Sequence, residues 1–191
     1  MTRGQLGGMC SSARALSDVA CDATGSALLA AALAESNPTT VKLAARTLGN
    51  HPNLAIKLGR DAKGSAVLAR VVLATPKAGG DAFEDFAAAL AARAHALAQH
   101  ASGVVVVEAG LKHPFYRRSV ASRLFGAGVN DLVASAHGLA VLDAAVNSES
   151  DLAAAAAWVQ ADVEHDALMP DIRRAHWAKL AAGATTSSPM P

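Results

Sequence analysis

The sequence predicts an all-α chain arranged as a helical solenoid, and three observations carry that expectation. First, its 191 residues are rich in alanine and leucine, while aromatics make up only 4%. Such a composition favours helix over strand. Second, a cassette recurs: "CDATGSALLAAAL" from Cys21, "RDAKGSAVLARVV" from Arg60, "QHASGVVVVEAGL" from Gln99 and "ASAHGLAVLDAAV" from Ala134. Its glycines, Gly25, Gly64, Gly103 and Gly138, step by 39, 39 and 35 residues. Third, Pro38, Pro76 and Pro114 follow the first three cassettes and the polar "NSES" follows the fourth. Proline cannot continue a helix, so it closes one unit and starts the turn into the next. A fixed period of this size marks a stack in which each unit buries its apolar face against its neighbours. The chain is long enough for one sizeable core or for such a short stack.

Within a unit the pattern predicts three short helices. They run over Thr40–Leu48, Asn53–Arg60 and Ser65–Ala74 in the second unit, and over Ala82–Ala92, Ala94–His100 and Val104–Leu111 in the third. In the fourth they cover Phe115–Phe125, Asn130–Ala136 and Leu139–Val146. The valine run at 104–107 reads as helix because it holds the place of "SALL" and "SAVL" in the other cassettes. Asn130 and Asp131 are expected to cap a helix start, and Gly59, Gly103 and Gly138 to take left-handed turns. Beyond the fourth unit, "DLAAAAAWVQADVEHDALM" reads as a helix, and Pro170 opens another at its first turn. Trp158 and Trp177 are expected to pack these helices on the last unit as the cap a solenoid needs. The organisation expected is a flexible or incomplete first repeat at 1–15, the array at 16–150, capping helices at 151–183 and a disordered tail at 184–191.

Net charge is +1, but it is unevenly spread. Between Lys42 and Arg123 there are 12 basic residues against 5 acids, whereas Leu124–Ile172 holds 8 acids and no Lys or Arg. A basic middle suits a polyanion, and an acidic flank suits a protein partner. Cys10 and Cys21 form neither a Cys-x-x-Cys pair nor a disulfide framework, which fits a reducing compartment. Charged residues interrupt every apolar run before it reaches the length of a membrane span.

The cassette "D-x-x-G-S-x-V-L", best kept at Gly64–Leu68, resembles the Pumilio repeat, and the resemblance covers Asp22 to about Val146. It implies about four three-helix repeats curved into a superhelix. It also implies that the first, second and fifth residues after each glycine face RNA bases, two by hydrogen bonds and one by stacking. Those triplets are Ser26, Ala27 and Ala30; Ser65, Ala66 and Ala69; Val104, Val105 and Glu108; and Leu139, Ala140 and Asp143. The stacking places hold Ala or Val where an aromatic ring or guanidinium is needed, and each edge-reading residue has an apolar partner. One hydrogen bond does not distinguish base edges. The chain is thus similar to the divergent nucleolar members of the family, which implies ribosome assembly in the nucleus, with cytoplasm and mitochondrion as alternatives.

The resemblance thus implies a surface that holds RNA, ribosomal or otherwise structured, through its phosphates. The candidate RNA-binding residues are Lys57, Arg60, Lys63, Ser65 and Arg70 around the second cassette, Glu108 in the third, and Arg117, Arg118 and Arg123 on a later helix. An armadillo- or HEAT-type scaffold for protein partners is the alternative, since the base readers are missing. No nucleotide-binding loop or nucleophile motif occurs, so neither an enzyme, a small-molecule substrate nor a cofactor is expected. His95 and His100 are five apart, on different helix faces, and the other histidines stand singly, so no metal is expected either.

Overall fold

In the computed structural model, residues 8–34, 38–125 and 129–146 are the described part of the chain. Their regular structure is helical throughout, with no strand among them. Ten helices follow a helical turn at 8–10: α1 (Ala13–Cys21), α2 (Ala23–Ala34), α3 (Pro38–Asn50), α4 (Pro52–Arg60), α5 (Ala62–Ala74), α6 (Asp81–Ala98), α7 (Ala101–Lys112), α8 (Pro114–Leu124), α9 (Val129–Val133) and α10 (Ala136–Val146). Pro52 and Pro114 sit in the first turns of α4 and α8, and Pro38 opens α3. There their missing N–H costs no hydrogen bond. The capping helices expected at 151–183, with Trp158 and Trp177, and the tail at 184–191 lie outside the described residues.

One boundary differs from expectation. The helices foreseen at Ala82–Ala92 and Ala94–His100 are a single helix, α6. The alanine-rich stretch through Ala91, Ala92 and Arg93 has no Gly or Pro to stop it, whereas Asn50-His51-Pro52 separates α3 from α4. Asn130 and Asp131 also fall inside the first turn of α9, not ahead of it.

The helices pack in two rows. The cassette helices α2, α5, α7 and α10 each lie against the next, and α3, α6 and α8 do the same. Helices α1 and α4 pack against members of both rows, and α1 and α2 meet at 108°. A continuous apolar core runs through the fold from Cys10 to Ala145, with Leu68, Leu90, Leu97, Val107 and Leu142 wholly buried. Cys10, in the part expected to be flexible or incomplete, is fully buried, and its carbonyl accepts the Thr47 hydroxyl.

The register within the cassette row is legible from burial. Three residues after the cassette glycine stand Val67 (1% exposed), Val106 (0%) and Val141 (0%), yet Leu28 in α2 is 49% exposed. No described cassette helix precedes α2. Burial at this position thus goes with a cassette helix that has another before it, and among these four it is bare only in α2.

A buried polar clasp ties the C-terminus of α5 to the start of α8. Thr75 Oγ1 donates to Val71 O (3.0 Å) and lies 2.8 Å from the Tyr116 hydroxyl. His113 Nε2 lies 2.9 Å from Thr75 O, while its Nδ1 accepts from Phe115 N. The carbonyl can only accept, so the ring's proton is on Nε2. Phe86 and Phe115 meet the Tyr116 ring edge-on, and this burial pushes the phenol upward from its usual range.

Candidate nucleic-acid interface

Each cassette begins at a corner where the chain turns from one helix into the next, and the four corners share one construction. A capping residue, an alanine, a variable residue and the glycine follow one another: Asp22 to Gly25, Asp61 to Gly64, His100 to Gly103 and Ser135 to Gly138. Asp22 Oδ1 accepts from Thr24 N (3.0 Å) and Gly25 N (2.7 Å), and Asp61 Oδ1 from Lys63 N (2.9 Å) and Gly64 N (2.8 Å). Ser135 Oγ accepts from Gly138 N at 2.8 Å, whereas His100 makes no such bond. These caps satisfy helix N–H groups that otherwise lack a partner. The backbone donation from Gly25 leads in lowering the Asp22 carboxyl below its ordinary range, and that from Gly64 does the same for Asp61.

The glycines serve close approach and not left-handed turns. Gly103 and Gly138 are inside helices, as is Gly59, and among the described residues only Gly79 and Gly80 have positive φ. A Cβ on Gly25 would stand 2.6 Å from Val19 O, on Gly64 2.7 Å from Leu58 O, on Gly103 2.2 Å from Leu97 O and on Gly138 2.3 Å from Leu132 O. Each carbonyl belongs to the residue six places earlier. The Leu58, Leu97 and Leu132 carbonyls also accept the capping residue's N–H. Only a residue without a side chain lets the incoming helix cross this carbonyl.

Three candidate cations flank the second corner. Lys57 and Arg60, a turn apart on α4, and Lys63 on the first turn of α5 are all exposed. The corner of α1 and α2 lies beside them. Cys21 feels both Asp61 and Lys57, and Asp22 and Asp61 both feel Lys63. Burial, with Asp61 behind it, holds the Cys21 thiol above its usual range. Arg14–Asp18 and Lys112–Glu108 are ion pairs, whereas Lys57, Arg60 and Lys63 have no carboxylate at ion-pair distance among the described residues, Asp22 and Asp61 acting on Lys63 from farther away.

The other candidates separate from that group. Ser65 is buried (2% exposed) and donates its hydroxyl to Ala62 O, so it has no surface to offer a base. The same back-bonding takes Ser26 to Ala23 O. Glu108 is paired with Lys112 at 3.4 Å one turn along α7. Arg117 Nε donates to Leu111 O at 2.7 Å and so caps the end of α7, while Arg118 and Arg123 are exposed on α8, in the other row. Arg70 is exposed two turns beyond Lys63 on α5, beside a groove of about 170 Å³ between α2 and α5. A second cleft, about 260 Å³, is lined by Val41, Lys42, Ala74 and Phe83 with Pro38 and Pro76.

No family model, curated protein or solved structure matches the chain. Among the described residues no group of three His, Cys, Asp or Glu is placed to hold a metal ion, and no single helix is long and apolar enough to cross a membrane. The capping role of Asp22, Asp61 and Ser135 is the feature that sequence reasoning missed. Its signal was present in the cassette, as a capping residue type three places before a glycine that opens an apolar run.

Proposed function

We propose that the chain is a short solenoid of Pumilio-like units that binds structured RNA through its phosphates, in the assembly of ribosomal or similar ribonucleoprotein particles. The observation that carries this reading is the corner of Lys57, Arg60 and Lys63, three exposed cations with no carboxylate at ion-pair distance among the described residues. The neighbouring carboxylates of Asp22 and Asp61 are turned onto helix N–H groups. Cations placed this way exchange condensed counterions for phosphate contacts and carry no sequence information. The recurring corners and the two helix rows support the solenoid arrangement, because each cassette helix packs on the next and each corner repeats the same close approach of glycine to carbonyl. The buried serines and the alanines in the stacking places support backbone binding over base reading.

Filter binding to structured and single-stranded RNA across a salt series tests the proposal. Affinity should fall linearly with log salt, and replacing Lys57, Arg60 and Lys63 with Ala should lower the slope by about 0.7–0.9 per lost contact, equally for all sequences. A salt-independent affinity, or a loss confined to one RNA sequence, would remove the phosphate model.

A further inference from the structure

The cassette row presents a second surface, distinct in chemistry from the basic corner. On α5 the exposed residues Ala66, Arg70 and Leu73 recur at helical spacing and line one face. The same register exposes Ala27, Ala31 and Ala34 on α2, and Val105 and Lys112 on α7. Leu73 is 50% exposed and Val105 51%, large apolar side chains on adjacent helices of the row. Between α2 and α5 the face sinks into the groove of about 170 Å³ lined by Leu33, Ala34, Leu73 and Ala74, with Arg70 on its wall.

Charge selects what such a surface takes. Arg70 has no carboxylate at ion-pair distance among the described residues. Glu108, the acid on the neighbouring α7, is held by Lys112. An apolar track with one guanidinium that has no ion pair among the described residues fits a partner that buries aliphatic side chains and sets a carboxylate beside them. Nucleic acid fits it poorly, because Ala27, Ala66 and Ala140 give bases nothing to stack on and Arg70 alone contacts few phosphates.

We propose that the face formed by α2, α5 and α7 docks an acidic amphipathic helix of a partner protein, its apolar stripe over Leu73 and Val105 and a carboxylate on Arg70. Helix axes lie about 9 Å apart, so crossing three of them takes about 20 Å, the length of about 14 helical residues.

The probe is a fluorescein-labelled synthetic helix of about 14 residues, with leucines along one face and glutamates beside them, titrated against the full chain by anisotropy. Saturable binding is expected. Arg70→Glu should weaken it about tenfold and create binding to the same peptide with lysines in place of glutamates, and Leu73→Ser should weaken it to a similar extent. Both side chains are exposed, so thermal melts of these variants should match the parent and separate lost docking from lost fold. Lys57→Glu, at the basic corner, should leave peptide binding unchanged. The proposal is overturned by absent saturation, by equal affinity for parent and Arg70→Glu, or by equal binding of a peptide whose leucines are replaced with serine. Loss of RNA binding in Arg70→Glu, with no peptide bound, would also overturn it and assign the face to nucleic acid.

Discussion

The hydroxyl of Tyr116 and Thr75 Oγ1 lie 2.8 Å apart in the core, joining α8 to the end of α5 across 41 residues of sequence. Thr75 keeps a bond to Val71 O whatever happens to the tyrosine, so removing the phenol oxygen strands no buried donor. Tyr116→Phe should therefore cost only about 1 kcal/mol in urea denaturation. Tyr116→Ala should cost about 3–5 kcal/mol, because it empties the space between Phe86 and Phe115. Similar losses from both would mean that the hydrogen bond, and not the ring, carries the clasp.

At the second corner a Cβ would meet a backbone carbonyl that has nowhere to go. Gly64→Ala is expected to destabilise by about 1–3 kcal/mol, more than the roughly 1 kcal/mol alanine gains in helix propensity. Gly8, with nothing within 4 Å of its Cβ position, is the control. Gly8→Ala should leave the melting temperature unchanged or raise it. A stabilised Gly64→Ala would contradict the close crossing with Leu58.

The capping carboxylates make part of the stability acid-sensitive. Asp22 and Asp61 are lowered in the fold, chiefly by donation from Gly25 and Gly64 respectively, so the folded chain binds their protons less readily than the unfolded one. Their contribution is present above the ordinary aspartate value, about 3.9, and disappears as pH falls through it toward the lower folded value. The doubly substituted Asp22→Asn, Asp61→Asn chain keeps a capping oxygen without the charge. Its stability at neutral pH should stay close to the parent's, and its melting temperature should fall less between about pH 5 and pH 3. Parallel acid limbs for the two proteins would rule out this linkage.

Leu28 and Val67 occupy the same cassette position but not the same environment, at 49% and 1% exposure. Leu28→Ser should change stability by less than about 0.5 kcal/mol, whereas Val67→Ser should cost about 2–3 kcal/mol. Equal costs, read from denaturant midpoints, would mean that this position does not face the preceding cassette helix.

Much of the fold was legible because helix formation here is local. The cassette glycines, the prolines and the unbroken alanine stretches placed most helices within a few residues, and the valines of 104–107 followed the cassette and not their strand propensity. The candidate site was legible only as a list of charges. Exposure left Lys57, Arg60 and Lys63 together at a corner, while Ser65 turned inward and Arg117 was taken up by the end of α7.

The sequence by itself determined the all-helical class and the recurrence of the cassette, since composition, breakers and spacing act within a few residues of one another. Tertiary structure alone decided why the cassette glycine is there. Gly64 lies against the Leu58 carbonyl where α5 follows α4, and no pattern within either helix encodes that distance. It also decided that Thr75, His113 and Tyr116 form one buried clasp, for their contacts join residues about 40 positions apart, beyond the reach of any local periodicity.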